Sequence, residues 1–168
     1  MKKQKGFSLI ELLIVVAIIL IIAAIAIPNL MRSRMAANEA SAAGSLRTLN
    51  TAEVTFSTTY GIGYGTLTSL GSPAGACATP SSAQACLIDP VLTGGAKSGY
   101  NIAVSAPAAN GTVAAPVVVY ETNAVPMAPG SSGQRDFCSD QSGVIRANPT
   151  GGAAPAACAT AAGFVPIQ

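Results

Sequence analysis

Hydrophobic positions follow two regimes along the chain. From Phe7 to Ile27 the run FSLIELLIVVAIILIIAAIAI has only Ser8 and Glu11 as polar side chains. Its 21 residues at about 1.5 Å of rise give roughly 32 Å of helix, close to the ~30 Å hydrocarbon thickness of a bilayer. One membrane-spanning helix is therefore expected. Past it, the apolar residues thin to a stripe. Met35, Ala42, Leu46, Leu49, Ala52, Phe56 and Tyr60 fall on one face at helical spacing, with Glu53 intruding. Between the two regimes Pro28 lacks an amide donor and is expected to kink or loosen the helix, and Gly44 is a second flexible point. Arg32 and Arg34 mark the headgroup boundary. Residues 7 to about 58 thus read as one helix of roughly 78 Å, ended by Gly61, Gly63 and Gly65.

Downstream the period falls to two. Tyr100–Ser105 alternates, Asn110-Gly111 is a hairpin signal, and Ala115–Thr122 (APVVVYET) is rich in β-branched residues behind Pro116. A further strand runs through Arg135–Cys138, turns at Asp140–Gly143 and returns as Val144–Arg146. Three or four antiparallel strands are expected, packed across the second half of the helix. Helix and sheet segregate, so the fold class is α+β. The divisions are a basic leader at 1–6, an apolar half-helix at 7–34 and an amphipathic half at 35–60. A Gly/Ser/Pro/Ala-rich loop follows at 61–99, then the sheet at 100–147 and a C-terminal segment at 148–168.

Composition narrows the chemistry. Half the residues are hydrophobic and 10% are charged, which excludes a disordered chain. Three of the nine basic residues, Lys2, Lys3 and Lys5, crowd the first five positions. They read as a positive flank holding the N-terminus in the cytoplasm while the chain beyond residue 30 is exported. The remaining cations are scattered, so no specific nucleic-acid partner is expected. Histidine is absent, which removes the commonest general base and the familiar nucleophile triads. Glu39, Glu53, Asp89, Glu121, Asp136 and Asp140 form no catalytic spacing, and Asp136 with Asp140 reads as a pair of solvated acids near a turn. No enzyme, no metal site and no cofactor are expected. Four cysteines without a CxxC spacing suit disulfides in an exported domain and leave three pairings open.

Glu11 separates the readings of the N-terminus. A secretory signal would end at Ala24-Ile25-Ala26, and an uncleaved anchor would simply retain the helix. Neither gives the acid a purpose. A carboxylate at the centre of an inserting helix costs about 2.5 to 3.5 kcal/mol, less near an interface, and intramembrane ionisable groups usually have a partner. Without one, Glu11 would snorkel to the headgroups and favour the positive end of the helix dipole.

The whole stretch supplies a third reading. Gly6-Phe7-Ser8-Leu9-Ile10-Glu11, behind a short basic leader and ahead of aliphatics running to Pro28, resembles the class III leader of type IV prepilins and the related type II secretion pseudopilins. The resemblance implies cleavage between Gly6 and Phe7 by a prepilin peptidase, N-methylation of Phe7 by the same enzyme, and retention of the helix, with a proline where Pro28 stands. Loss of three lysines leaves 9 − 3 = 6 basic against 7 acidic side chains, a formal −1. Glu11 becomes the fifth residue of the mature chain, placed to meet the new Phe7 amine of a neighbouring copy. Two charges that are each costly in an apolar bundle then offset one another and fix the register.

The fold implied is a long helix packed on a small antiparallel head, the 61–99 loop being variable in the family. Sequence proximity favours Cys77 with Cys86 and Cys138 with Cys158, and the second closure resembles the C-terminal disulfide loop of many type IVa pilins. The family's major secretion pseudopilin carries a calcium site of acidic residues near its C-terminus, whereas residues 141–168 contain no Asp or Glu. The expectation is a major pilin that polymerises through its N-terminal helix. The alternatives are a pseudopilin and a single-pass anchored domain that never polymerises. The partners implied are further copies of the chain, the peptidase, an inner-membrane assembly platform, an assembly ATPase, an outer-membrane secretin, and membrane lipid before assembly. The implied location is the cytoplasmic membrane first, then a cell-surface filament.

Overall fold

The computed structural model describes residues 8–72, 77, 79–105, 111–151 and 157–167. It divides into two compact units, Met1–Arg34 and Met35–Gln168. Helix α1 is assigned over Leu9–Tyr60 and contains Pro28.

In the first unit the aliphatic residues of α1 are exposed on every side, from Leu9 (79% exposed) to Leu30 (71%). The helix is long and apolar enough to cross a membrane. A helix apolar all round needs lipid or other helices as its surroundings.

The second unit is the α+β head. Along its stretch of α1, Ala42, Leu46, Leu49, Ala52 and Phe56 are buried as the stripe requires, while Met35 and Tyr60 are half-buried. Ala43, Ser45, Glu39 and Glu53 are buried with them. On the outer face Thr48, Thr51, Thr55 and Thr58 each donate a hydroxyl to the carbonyl four residues back, which satisfies them within the helix. The helix ends where Gly61 takes φ +67° and its N–H reaches the Ser57 carbonyl at 3.0 Å.

Among the described residues the sheet has six strands in sequential order, all neighbours antiparallel: β1 Ala96–Lys97, β2 Tyr100–Ser105, β3 Glu121–Pro126, β4 Asp136–Asp140, β5 Arg146–Asn148 and β6 Val165–Pro166. This corrects the expected three or four strands. The sheet begins inside the 61–99 connection, and the C-terminal segment adds β6. That connection also holds α2, Leu67–Leu70, with a capping box at Thr66 and Ser69, and α3, Pro90–Thr93, capped by Asp89. A core of Phe56, Leu46, Leu49, Leu70, Leu92, Tyr100, Ile102 and Phe137 lies between these elements.

The strand expected over 115–122 is displaced. Pairing with β2 uses Glu121–Pro126, where Thr122, Ala124 and Pro126 alternate inward and Ile102 stands opposite Ala124. The valine run has another use. Val117 exchanges backbone bonds with Ile62 and Tyr64 at 3.0 and 2.9 Å, a short parallel bridge to the segment leaving α1, and Val118 remains 68% exposed. β-Branched composition identified extended backbone but not its partner. Asn110 of the hairpin signal lies outside the described residues, and Thr112 and Ala115 close a small turn on each other.

Candidate functional site

Of the residues expected to take part in assembly, Glu11 lies in the first turn of α1. Gly6 and Phe7, and with them the leader junction, lie outside the described residues. Just beyond, Ser8 precedes the first helical residue, its carbonyl accepting the Leu12 N–H at 3.2 Å. The Ser8 N–H donates to Glu11 Oε2 at 3.1 Å. This is the returning half of a capping box, with Ser8 at the cap and Glu11 three residues in. The Ser-x-x-Glu spacing carries that signal in the sequence. Glu11 therefore sits at the positive end of its own helix, where one orphan amide and the helix dipole stabilise a carboxylate. Around it, Leu9, Ile10, Leu12 and Leu13 are exposed. An apolar surface of this extent is a contact surface for lipid or protein.

A second set of polar residues fastens the head to its own stretch of α1. Glu39 Oε1 accepts the backbone N–H groups of Gln134 and Arg135 at 2.9 and 3.2 Å, and Oε2 accepts the Arg135 Nε–H at 2.7 Å. Burial opposes ionisation of Glu39. The Gln134 and Arg135 donors and the guanidinium charge outweigh it and hold the carboxyl below its ordinary range. Arg135 also lies 5.4 Å over the Phe137 ring. One residue earlier, Asn38 donates to the Ser132 carbonyl at 2.7 Å. Three turns on, Asn50 donates to Ser139 Oγ at 2.8 Å and to the Gly143 carbonyl at 3.3 Å while accepting the Tyr120 hydroxyl at 3.1 Å. Asn38, Asn50 and Tyr120 were not singled out from the sequence. Their partners are 70 to 94 residues away, a distance that no local pattern encodes.

Asp136 and Asp140 are not solvated, as the sequence suggested, but buried in β4. Asp140 accepts the Ser142 N–H at 2.9 Å and pairs with Arg146 at 3.3 Å, closing the β4–β5 hairpin. Arg146, the first residue of β5, supplies the charge partner that removal from water demands.

Cys77 is bonded to Cys86 and Cys138 to Cys158, with Cα separations of 5.9 and 5.7 Å. Cys138 and Cys158 are both buried, and the Cys158 N–H donates to Glu121 Oε1 at 3.0 Å. The second bridge thereby ties the C-terminal segment to β4, and the hydrogen bond ties it to β3.

Residues 1–27 match the prokaryotic N-terminal methylation motif. A stretch of 39 residues, 23% of this chain, is 62% identical to the type IV wide pilus major component PilA4 of Thermus thermophilus and covers 30% of it. A stretch of 54 residues, 32% of this chain, is 48% identical to the type IV major pilin protein PilA of Myxococcus xanthus and covers 24% of it. The matches thus span less than a third of either relative. No solved structure matches the chain. Motif and relatives both point to the type IV pilin family.

Proposed function

We propose that this chain is a major pilin, a structural subunit that polymerises through its N-terminal helix into a type IV pilus. The observation that carries the reading is the methylation motif over residues 1–27, which runs into the start of a helix whose aliphatic residues are exposed on all sides. Such a helix has two compatible environments, lipid and a bundle of its own kind, and a pilin uses them in succession.

In this reading a prepilin peptidase cuts between Gly6 and Phe7 and methylates the Phe7 amine. The subunit waits in the cytoplasmic membrane with its N-terminus inside, then passes through the assembly platform, driven by an assembly ATPase, into a filament on the cell surface. Glu11 sets the register. Its carboxylate lies at the helix start, held by the Ser8 N–H, close in sequence to where cleavage would create the amine. An incoming subunit that offers its Phe7 amine to a neighbour's Glu11 neutralises both charges, and a slipped subunit leaves both stranded. The relatives are named as a type IV wide pilus major component and a type IV major pilin, and residues 141–168 contain no carboxylate side chain for a C-terminal calcium site. Both favour a pilus over a secretion pseudopilus.

Glu11→Ala tests the reading. The variant is expected to be exported and cleaved at Phe7 like wild type, as read by mass spectrometry of the mature N-terminus, yet to yield no sheared surface filaments. Filaments at wild-type abundance would overturn the role given to Glu11.

A further inference from the structure

Glu53 has no part in assembly as proposed above, and its surroundings are unusual for a carboxyl group. It lies on the buried face of α1, 0% exposed, among Leu49, Ala52 and Phe56. Oε2 accepts the Gly65 N–H at 2.8 Å. Oε1 is buried with no hydrogen-bond partner, and no basic side chain among the described residues forms an ion pair with Glu53. Tyr120 is the titratable group that interacts with it, Tyr64 and Asp140 interact in turn with Tyr120, and none of the three is a cation. Tyr120, ahead of β3, gives its hydroxyl to Asn50, and Tyr64, on the segment leaving α1, stacks edge-on against Tyr120 at 4.6 Å. Asp140, at the end of β4, has its own partner in Arg146.

The one bond that Glu53 makes falls at a sensitive place. Gly65 precedes Thr66, the cap of α2, and belongs to the segment that leaves α1 through Gly61 and Gly63, both in the left-handed region at φ +67° and +86°. A Cβ on Gly63 would run into the Val117 backbone, and one on Gly65 would meet Ser69 Oγ at 2.6 Å and the Phe56 ring at 3.1 Å. The segment is thus drawn against the helix by the Glu53 bond and against the 111–120 loop by the Val117 bridge.

We propose that Glu53 is a proton-controlled latch on the segment 61–65, holding it closed as a neutral acid and releasing it, together with the Val117 bridge, when ionised. A neutral carboxyl is stable in this apolar pocket with a single donor. A carboxylate there has one donor where it would take several, and opening the segment admits the water that supplies the rest. Burial pushes the carboxyl up to about 7, against the opposing pull of the Gly65 N–H. The transition therefore falls in a range that an exported domain meets.

Hydrogen exchange on the full chain in detergent micelles, expressed as protection relative to the intrinsic exchange rate at each pH, reads the latch directly. Between about pH 5.5 and 8.5 the Tyr64, Gly65 and Val117 amides of wild type are expected to lose protection by at least about tenfold, with no such loss in Glu53→Gln, which cannot ionise. Constant protection in wild type, or an equal loss in the variant, would overturn the proposal. Should the variant fail to fold, carbon-13 titration of the wild-type Glu53 carboxyl decides. A midpoint near 7 supports the latch, and one at the ordinary 4.5 refutes it.

Discussion

Isolated acids in apolar surroundings organise this chain, and each is handled differently. Glu11 meets its helix N-terminus through Ser8, Glu39 meets three donors of the β3–β4 connection, and Glu53 meets one amide. For the two acids of the head, Glu39 and Glu53, the balance of burial against donors sets the sign of the pH response. Glu39 is held below its ordinary 4.5, so the unfolded chain takes up a proton first as pH falls. Its contribution is complete above about pH 5 and is lost as pH drops through and below 4.5. Thermal melts of wild type and Glu39→Gln should accordingly differ by a constant amount from about pH 5 to 6 and converge below about pH 4. A gap that widens on acidification would contradict the assignment. Residue identity in the sequence revealed that Glu11 and Glu53 were out of place. It could not reveal which donors meet Glu39, because Gln134 and Arg135 are brought to it by the return of the chain through the sheet.

Among the elements, the helix was the most legible. Period 3.6 runs from Ala42 to Phe56 with few interruptions, and the buried face follows it. Truncating that face at its fully buried centre, Leu46→Ala, should cost about 2 to 5 kcal/mol of head stability, measured by denaturant unfolding. A change under about 1 kcal/mol would mean that Leu46 is not a core contact. Strand identity was less legible than strand existence. APVVVYET has the composition of a strand, yet Val117 pairs with Ile62 and Tyr64 while the less apolar Glu121–Pro126 enters the sheet. Alternation decides between them, because Thr122, Ala124 and Pro126 share one inward face, whereas three consecutive valines have no single side. β1 and β6, two residues each, are too short to leave a periodic signature.

For the molecule as a whole, sequence pattern divides the chain by environment. The aliphatic part of α1 in Met1–Arg34 has no buried face of its own, while the head has a closed core and two disulfides. Cross-linking Cys138 to Cys158 over a separation of 20 residues should stabilise the head by about 3 kcal/mol, through loss of freedom in the unfolded chain. Replacing both cysteines with serine should lower the denaturation midpoint accordingly and raise protease cleavage after β5. Unchanged resistance would show that β6 alone secures the segment. The head thus has a core of its own, and in the proposed pilus the exposed helix is completed by other copies. The most direct test of that claim is a filament map resolving side chains around residue 11. The Glu11 carboxylate is expected within about 4 Å of the Phe7 amine of an adjacent subunit; a Glu11 turned to solvent and distant from every neighbouring amine would contradict the proposed pairing.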